Sequence, residues 1–254
     1  MLRPYLSAGL GLAVMACAGD GGGGVEVVPL RATAPANARN VAVAILSPQP
    51  GALVPNPVQI ELVLAGFELG VPTRGAENRG LLRAEGGQHL HLVVDDRPYQ
   101  MVFDASAPIA LGELLPGPHL VRVIPALEWH ESVQGPGSFE AVQFFVERQT
   151  TEVPLRPGEP LLTYLRPSGT YAGAAADSIL LDFHVRNAEL GGGRYRVRLL
   201  VDGDRVEDLQ RPAPFVLVGL APGPHTIRLE LRDGVGRLVP GAYKSAERAI
   251  TIEP

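Results

Sequence analysis

The sequence predicts an all-β chain folded as two tandem antiparallel β-sandwiches, and three observations lead there. Thirty glycines and 24 prolines stand in a chain of 254 residues that is 46% hydrophobic. That composition favours many short apolar runs punctuated by residues that make turns and disfavour helix interiors. Within the runs, apolar and polar residues alternate with the period of a half-buried strand. Beyond residue 40 the chain repeats itself once, and two units of roughly 100 residues each have the size of an independent domain.

The elements follow in chain order. Arg3 is the only charge in the first sixteen residues, and the apolar stretch from Leu6 to Ala16 is too short to span a bilayer. Residues 1–16 therefore read as a signal peptide. It ends in Val14-Met15-Ala16-Cys17, which resembles the bacterial lipobox. That resemblance implies that Cys17 is lipidated, that it becomes the first residue of the mature chain, and that the protein sits in the cell envelope tethered to a membrane. Ala18 at the next position implies the outer membrane. Cys17 is the only cysteine, so no internal disulfide can form. Residues 17–40, with the glycine run 21–24 and several prolines, are expected to form a flexible spacer.

The repeat defines the rest. Leu92-Val93-Val94-Asp95 matches Leu199-Leu200-Val201-Asp202, and the stretch Leu115-Pro116-Gly117-Pro118-His119 matches Ala221-Pro222-Gly223-Pro224-His225. The first copy is assigned to 41–149, the linker to 150–160 and the second copy to 161–254. Seven strands are predicted in each, near 41–46, 57–65, 88–95, 98–103, 108–114, 119–126 and 140–147, then near 161–165, 178–186, 194–202, 205–209, 214–219, 225–232 and 246–252. Asp95-Asp96-Arg97-Pro98 and Asp202-Gly203-Asp204-Arg205 are the hairpin turns between third and fourth strands. Their aspartates read as turn formers rather than calcium ligands, because no spaced set of oxygen donors follows. The whole pattern resembles immunoglobulin-like and fibronectin type III-like domains of an uncharacterised exported group of bacterial proteins.

Repetition also sorts the histidines. His119 and His225 occupy one place in both copies and are assigned to the shared fold. His89 and His91 align instead with Arg196 and Arg198, between apolar positions, so they are expected to point away from the core of their sandwich. Their spacing puts the side chains roughly 6–7 Å apart on one strand face. In the immunoglobulin-like topology the third strand pairs with the sixth, which runs on into Glu128-Trp129-His130-Glu131. His89, His91, Glu128, Trp129, His130 and Glu131 are thus expected to meet at one pole, near Arg79 and Arg83. Two readings follow. Trp129 could anchor a glycan or an envelope protein, or His89, His91 and His130 could hold a transition metal, since imidazoles suit zinc, copper or nickel. Solvated side chains are the competing reading for the histidines.

Other classes are disfavoured. The net charge of −5 supplies no basic field for nucleic acid. The chain carries no Gly-x-Ser-x-Gly elbow, no His-Glu-x-x-His and no P-loop, and lipidation would consume its only thiol. No catalytic residue and no obligatory cofactor is therefore assigned. The expected role is a non-catalytic binding or structural module of the cell envelope, with a metal-binding role as the alternative.

Overall fold

The computed structural model describes residues 24–30, 40–76, 80–151 and 153–254. The signal sequence, the lipobox with Cys17, and Arg79 lie outside them. The described chain is all-β, apart from one four-residue helix, and forms two antiparallel β-sandwiches.

In the first sandwich, β2 (Ala42–Ser47), β4 (Val58–Ala65) and β7 (Ile109–Gly112) form one sheet. The other sheet runs β3 (Leu53–Val54), β9 (Glu140–Val146), β8 (Gly117–Ala126), β5 (His89–Val94), β6 (Gln100–Val102). Leu90, Leu92, Val121, Val123 and Phe144 point between the two sheets and make the core. The second sandwich repeats this plan. Its inner sheet contains β10 (Leu161–Arg166), β12 (Ile179–Arg186) and β15 (Phe215–Val218). Its outer sheet has the order β11 (Gly169–Tyr171), β17 (Ser245–Ile252), β16 (Gly223–Arg232), β13 (Arg196–Val201), β14 (Asp204–Leu209).

Each strand predicted from alternation has a counterpart within a few residues. Two short strands, β3 and β11, were not legible because two or three residues carry no period. Each continues the first strand of its copy onto the opposite sheet, pairing in parallel with β9 or β17. The expected spacer needs a correction. Part of it, Glu26–Pro29, is strand β1, antiparallel to β15 from Glu26↔Val218 to Pro29↔Phe215. Without it β15 would be an open edge, and pairing satisfies those backbone groups. Val25 and Val27 pack against the second core as the strand docks.

The two sandwiches stack face to face. On β8 the residues turned away from the first core, Leu120 and Ile124, meet Leu161 and Leu165 of β10. Leu162 and Tyr164, the intervening residues of β10, belong to the second core. Further along the joint Trp129 packs with Leu180 of β12 and Val216 of β15. The result is four layers of sheet in which the central strands of the middle two are covered on both faces. No residue of β5 or β10 is exposed, whereas β2 and β13, on the outer layers, keep their in-out alternation. Even the charged Arg122 is enclosed at the joint. It is 1% exposed, donates to Thr163 Oγ1 at 3.2 Å and lies 5.0 Å from the Tyr243 ring centroid.

Candidate metal centre

Local sequence explains how three histidines reach one place. Strand β5 alternates His89-Leu90-His91-Leu92, so burying the leucines in the first core turns both imidazoles to the opposite face. The register His89↔Ala126 sets the start of β5 beside the end of β8. Beyond Ala126 the chain closes a tight turn, with His130 N–H donating to Leu127 O at 2.8 Å and Leu127 N–H to Glu131 O at 2.9 Å. His130 adopts a φ of 66° there, in the left-handed region that non-glycine residues seldom enter and that clusters at functional sites.

The imidazoles converge. His89 Nε2 lies 3.1 Å from His91 Nε2 and 3.2 Å from His130 Nδ1, and all three nitrogens fall within 4.8 Å of one another. Nitrogens bound to one ion at about 2.0 Å lie roughly 3.3–3.5 Å apart, so the two closer pairs fit with adjustments of a few tenths of an ångström, while the third pair, within 4.8 Å, must close by up to about 1.3 Å through a turn of the His91 or His130 ring. His89 Nδ1–H donates to Gly87 O at 2.9 Å, which leaves the lone pair of Nε2 aimed into the cluster. A backbone carbonyl behind a coordinating imidazole is the usual orienting partner of a metal ligand. His91 and His130 both press on that single lone pair. One proton can satisfy only one of the two contacts, whereas a cation among the three nitrogens satisfies them together.

The environment keeps these rings neutral, which is the ligand form. Burial lowers the pKa of His89 to about 4 despite the favourable bond to Gly87. Burial, and then the positive charge of Arg166, lowers His130 to about 2. His91 is held well below the ordinary histidine value by burial and by its two histidine neighbours. Tyr99 stacks on His91 with ring centroids 3.8 Å apart, and its hydroxyl lies 3.2 Å from His130 Nδ1. Arg166 of the second sandwich sits 5.4 Å from the Tyr99 ring centroid. His91 Nδ1 is a buried ring nitrogen with no hydrogen-bond partner among the described residues.

The remaining residues of the predicted pole take other roles. Glu128 accepts from Arg83 Nε at 2.7 Å and from Thr73 N–H at 2.9 Å, tying down the long loop before β5. Glu131 accepts from Trp129 Nε1 at 2.7 Å. Trp129 is 1% exposed, so it does not present an aromatic anchor to a glycan or an outside protein. The second sandwich is the partner it packs against. The histidines depart from the solvated reading for the same reason: they point out of their own sandwich as expected, yet the other sandwich covers them, and His89 and His91 are 0% exposed.

Sequence reasoning missed a second polar cluster at the joint. Ser132 N–H donates to Asp182 Oδ2 at 2.9 Å, and Ser132 Oγ lies 3.0 Å from Asp182 Oδ1 and 2.9 Å from His184 Nε2. Burial raises the Asp182 pKa to about 7 and lowers that of His184 to about 3. A hydrogen-bonded chain from Asp182 through the Ser132 hydroxyl to a neutral His184 follows, and its carboxyl is protonated below about pH 7. The signal in the sequence was Asp182 and His184 among the apolar residues 179–185, at positions facing away from the second core.

The paired histidines of the repeat behave alike. His119 Nδ1 lies 2.8 Å from Asp95 Oδ2 and Nε2 2.7 Å from Leu115 O, while His225 meets Asp202 and Ala221 O, each at 2.7 Å. Asp95 and Asp202 also accept the backbone N–H of Leu120 and Thr226, so both aspartates serve the turn.

No protein-family model and no curated protein sequence matches the chain. Solved structures similar to it include fibronectin(III)-like modules of Clostridium thermocellum CbhA, at 13% identity and a TM-score of 0.29, over 83% of this chain and 94% of that one. The D00-D0 domain of intimin is 12% identical with a TM-score of 0.25, over 84% of this chain and 100% of that one. A third is the Bacteroides ovatus mixed-linkage glucan utilization locus protein SGBP-B in complex with a mixed-linkage heptasaccharide, 11% identical with a TM-score of 0.23, over 83% and 70% of the two chains.

Proposed function

We propose that this chain is a non-catalytic module of the cell envelope, tethered through a lipidated Cys17, whose two sandwiches form one rigid body around a buried trihistidine metal site. The observation that carries the metal reading is the convergence of His89 Nε2, His91 Nε2 and His130 Nδ1, with the two closer pairs at 3.1 and 3.2 Å. Enclosure of the polar groups supports the non-catalytic part. Ser132, Asp182 and His184 combine the residue types of a hydrolase triad, but they are 2%, 0% and 3% exposed, and Asp182 contacts the serine rather than the histidine. A substrate has no way to the hydroxyl, and the triad geometry in which the carboxylate orients the imidazole is not present.

The test is the metal content of the full chain, purified in detergent without a histidine tag. One equivalent of transition metal is expected in the wild type and less than a tenth of that in a His89→Gln, His91→Gln, His130→Gln variant. Equal metal in both proteins, or none in the wild type after incubation with zinc and copper salts, would remove the metal reading and leave the rigid module.

A further inference from the structure

Resting on the trihistidine reading, we infer that the ion the site is built for is monovalent copper. The donor set is neutral throughout. Among the described residues no carboxylate or thiolate joins the three imidazole nitrogens. The two acidic residues of the same turn are committed elsewhere, Glu128 to Arg83 and Thr73, and Glu131 to Trp129. The formal charge set beside the rings is positive, since the Arg166 guanidinium lies 5.4 Å from the centroid of the Tyr99 ring that stacks on His91. A bound ion therefore keeps its whole charge in an enclosed and already electropositive pocket. The cost of burying an ion rises with the square of its charge, about fourfold from +1 to +2. That contrast separates a monovalent from a divalent ion more sharply here than in a site with an anionic ligand.

Coordination number points the same way. Zinc takes four ligands, with three protein donors normally completed by water or substrate at an open position. Divalent copper and nickel prefer square or tetragonal sets. His89, His91 and His130 are 0%, 0% and 3% exposed and Tyr99 lies stacked on His91, so bulk solvent does not supply the missing ligand, and the further donor beside the rings is the neutral Tyr99 hydroxyl, 3.2 Å from His130 Nδ1. Monovalent copper accepts three nitrogens in a trigonal arrangement and needs nothing further. Imidazole is a suitable donor for copper, and the orienting bond from His89 Nδ1–H to Gly87 O is compatible with either oxidation state.

The experiment uses the metal-stripped full chain in detergent under anaerobic conditions. Monovalent copper is titrated in competition with bicinchoninate and divalent zinc in competition with a chromophoric chelator, each repeated on His91→Gln and His130→Gln. X-ray absorption at the copper edge counts the ligands. The expected result is one copper per chain held at least about 100-fold more tightly than zinc, with three nitrogen neighbours, and a loss of affinity of at least tenfold in each variant. Zinc bound as tightly as copper, and weakened by the same variants, would overturn the choice of ion while the metal site stood. Copper bound equally by wild type and variants would place it elsewhere and overturn the inference. Binding of neither ion would overturn the inference and the metal reading together.

Discussion

Asp182 offers a test of the joint in which one group can be isolated by pH. Its carboxyl is fully enclosed between the sandwiches and its pKa is pushed up to about 7 by burial, with Glu131 adding to the rise, against an ordinary value of 3.8. The folded state therefore holds a proton that the unfolded chain releases near pH 4. Between those values the folded form binds more protons, and stability falls as pH rises, by about 1.4 kcal/mol per pH unit. From pH 5 to pH 7 the loss amounts to about 2.3 kcal/mol, and above the folded pKa the dependence flattens.

The histidines act with the opposite sign. His89, His130 and His184 have folded pKa values lowered to about 4, 2 and 3, so their contribution is present above about pH 6.5 and disappears as pH falls. The wild-type curve mixes both effects, and only a difference isolates the aspartate. Urea unfolding of the wild type and of Asp182→Asn, both metal-free, is followed at pH 5, 6, 7 and 8 by fluorescence of Trp129, the single tryptophan. The unfolding free energy of wild type minus variant should fall by about 2.6 kcal/mol from pH 5 to 8, nearly all of it below pH 7.5. A difference that is flat or rises with pH would refute the assignment of Asp182 as a protonated member of the joint.

The remaining predictions concern the packing of the two halves. Thermal unfolding followed by far-ultraviolet circular dichroism and by Trp129 fluorescence should give coincident single transitions, because the joint buries the central strands of one sheet of each sandwich; two separated transitions would contradict that coupling. Trp129→Ala should cost about 3–5 kcal/mol by circular dichroism, as for other large aromatic truncations in cores. Leu165→Glu places a carboxylate between Val93 and Ile124 and should cost at least about 3 kcal/mol, whereas Leu115→Glu, at a position 75% exposed, should stay within about 0.5 kcal/mol. His225→Ala should cost about 1 kcal/mol through its lost bonds to Asp202 and Ala221 and leave the metal content unchanged.

The strands were legible where one face met a core and the other met solvent, since alternation is then written into the chain. Val58–Ala65 and Arg196–Val201 are of this kind. Legibility changed where both faces are covered. In Leu161–Arg166 and in the first three residues of Ile179–Arg186 the alternation gives way to mostly apolar residues, the pattern of strands buried on both sides. That run was the available sign that the sandwiches stack, but sequence does not say which face meets which. The site shared this fate. Pairing of β5 with β8 and the proximity of His130 followed from topology, whereas the closure of the pole depended on a contact between residues more than fifty positions apart, Trp129 with Leu180.

The two copies of the repeat show what that closure permits. In the second copy the positions equivalent to His89 and His91 are Arg196 and Arg198. Arg198 Nε donates to Asp208 Oδ1 at 2.8 Å across the hairpin, and Arg196 lies 3.7 Å from the same carboxylate. These side chains are part-exposed, and water shares the burden of their charge. In the first copy the residue opposite His91 is Met101, where the second copy has Asp208 opposite Arg198. Arginines at 89 and 91 would be trapped against β10 without a counter-ion, next to Arg166, and an arginine cannot shed its charge to escape. Histidine can, by releasing a proton, and it then carries a lone pair that must find a partner. Stacking a second sandwich on this sheet thus disfavours at positions 89 and 91 the arginines that the outer layer tolerates, whereas the enclosed Arg122 has Asp96 and Asp95 as favourable charges, and the histidines at those two positions acquire the capacity to coordinate a cation.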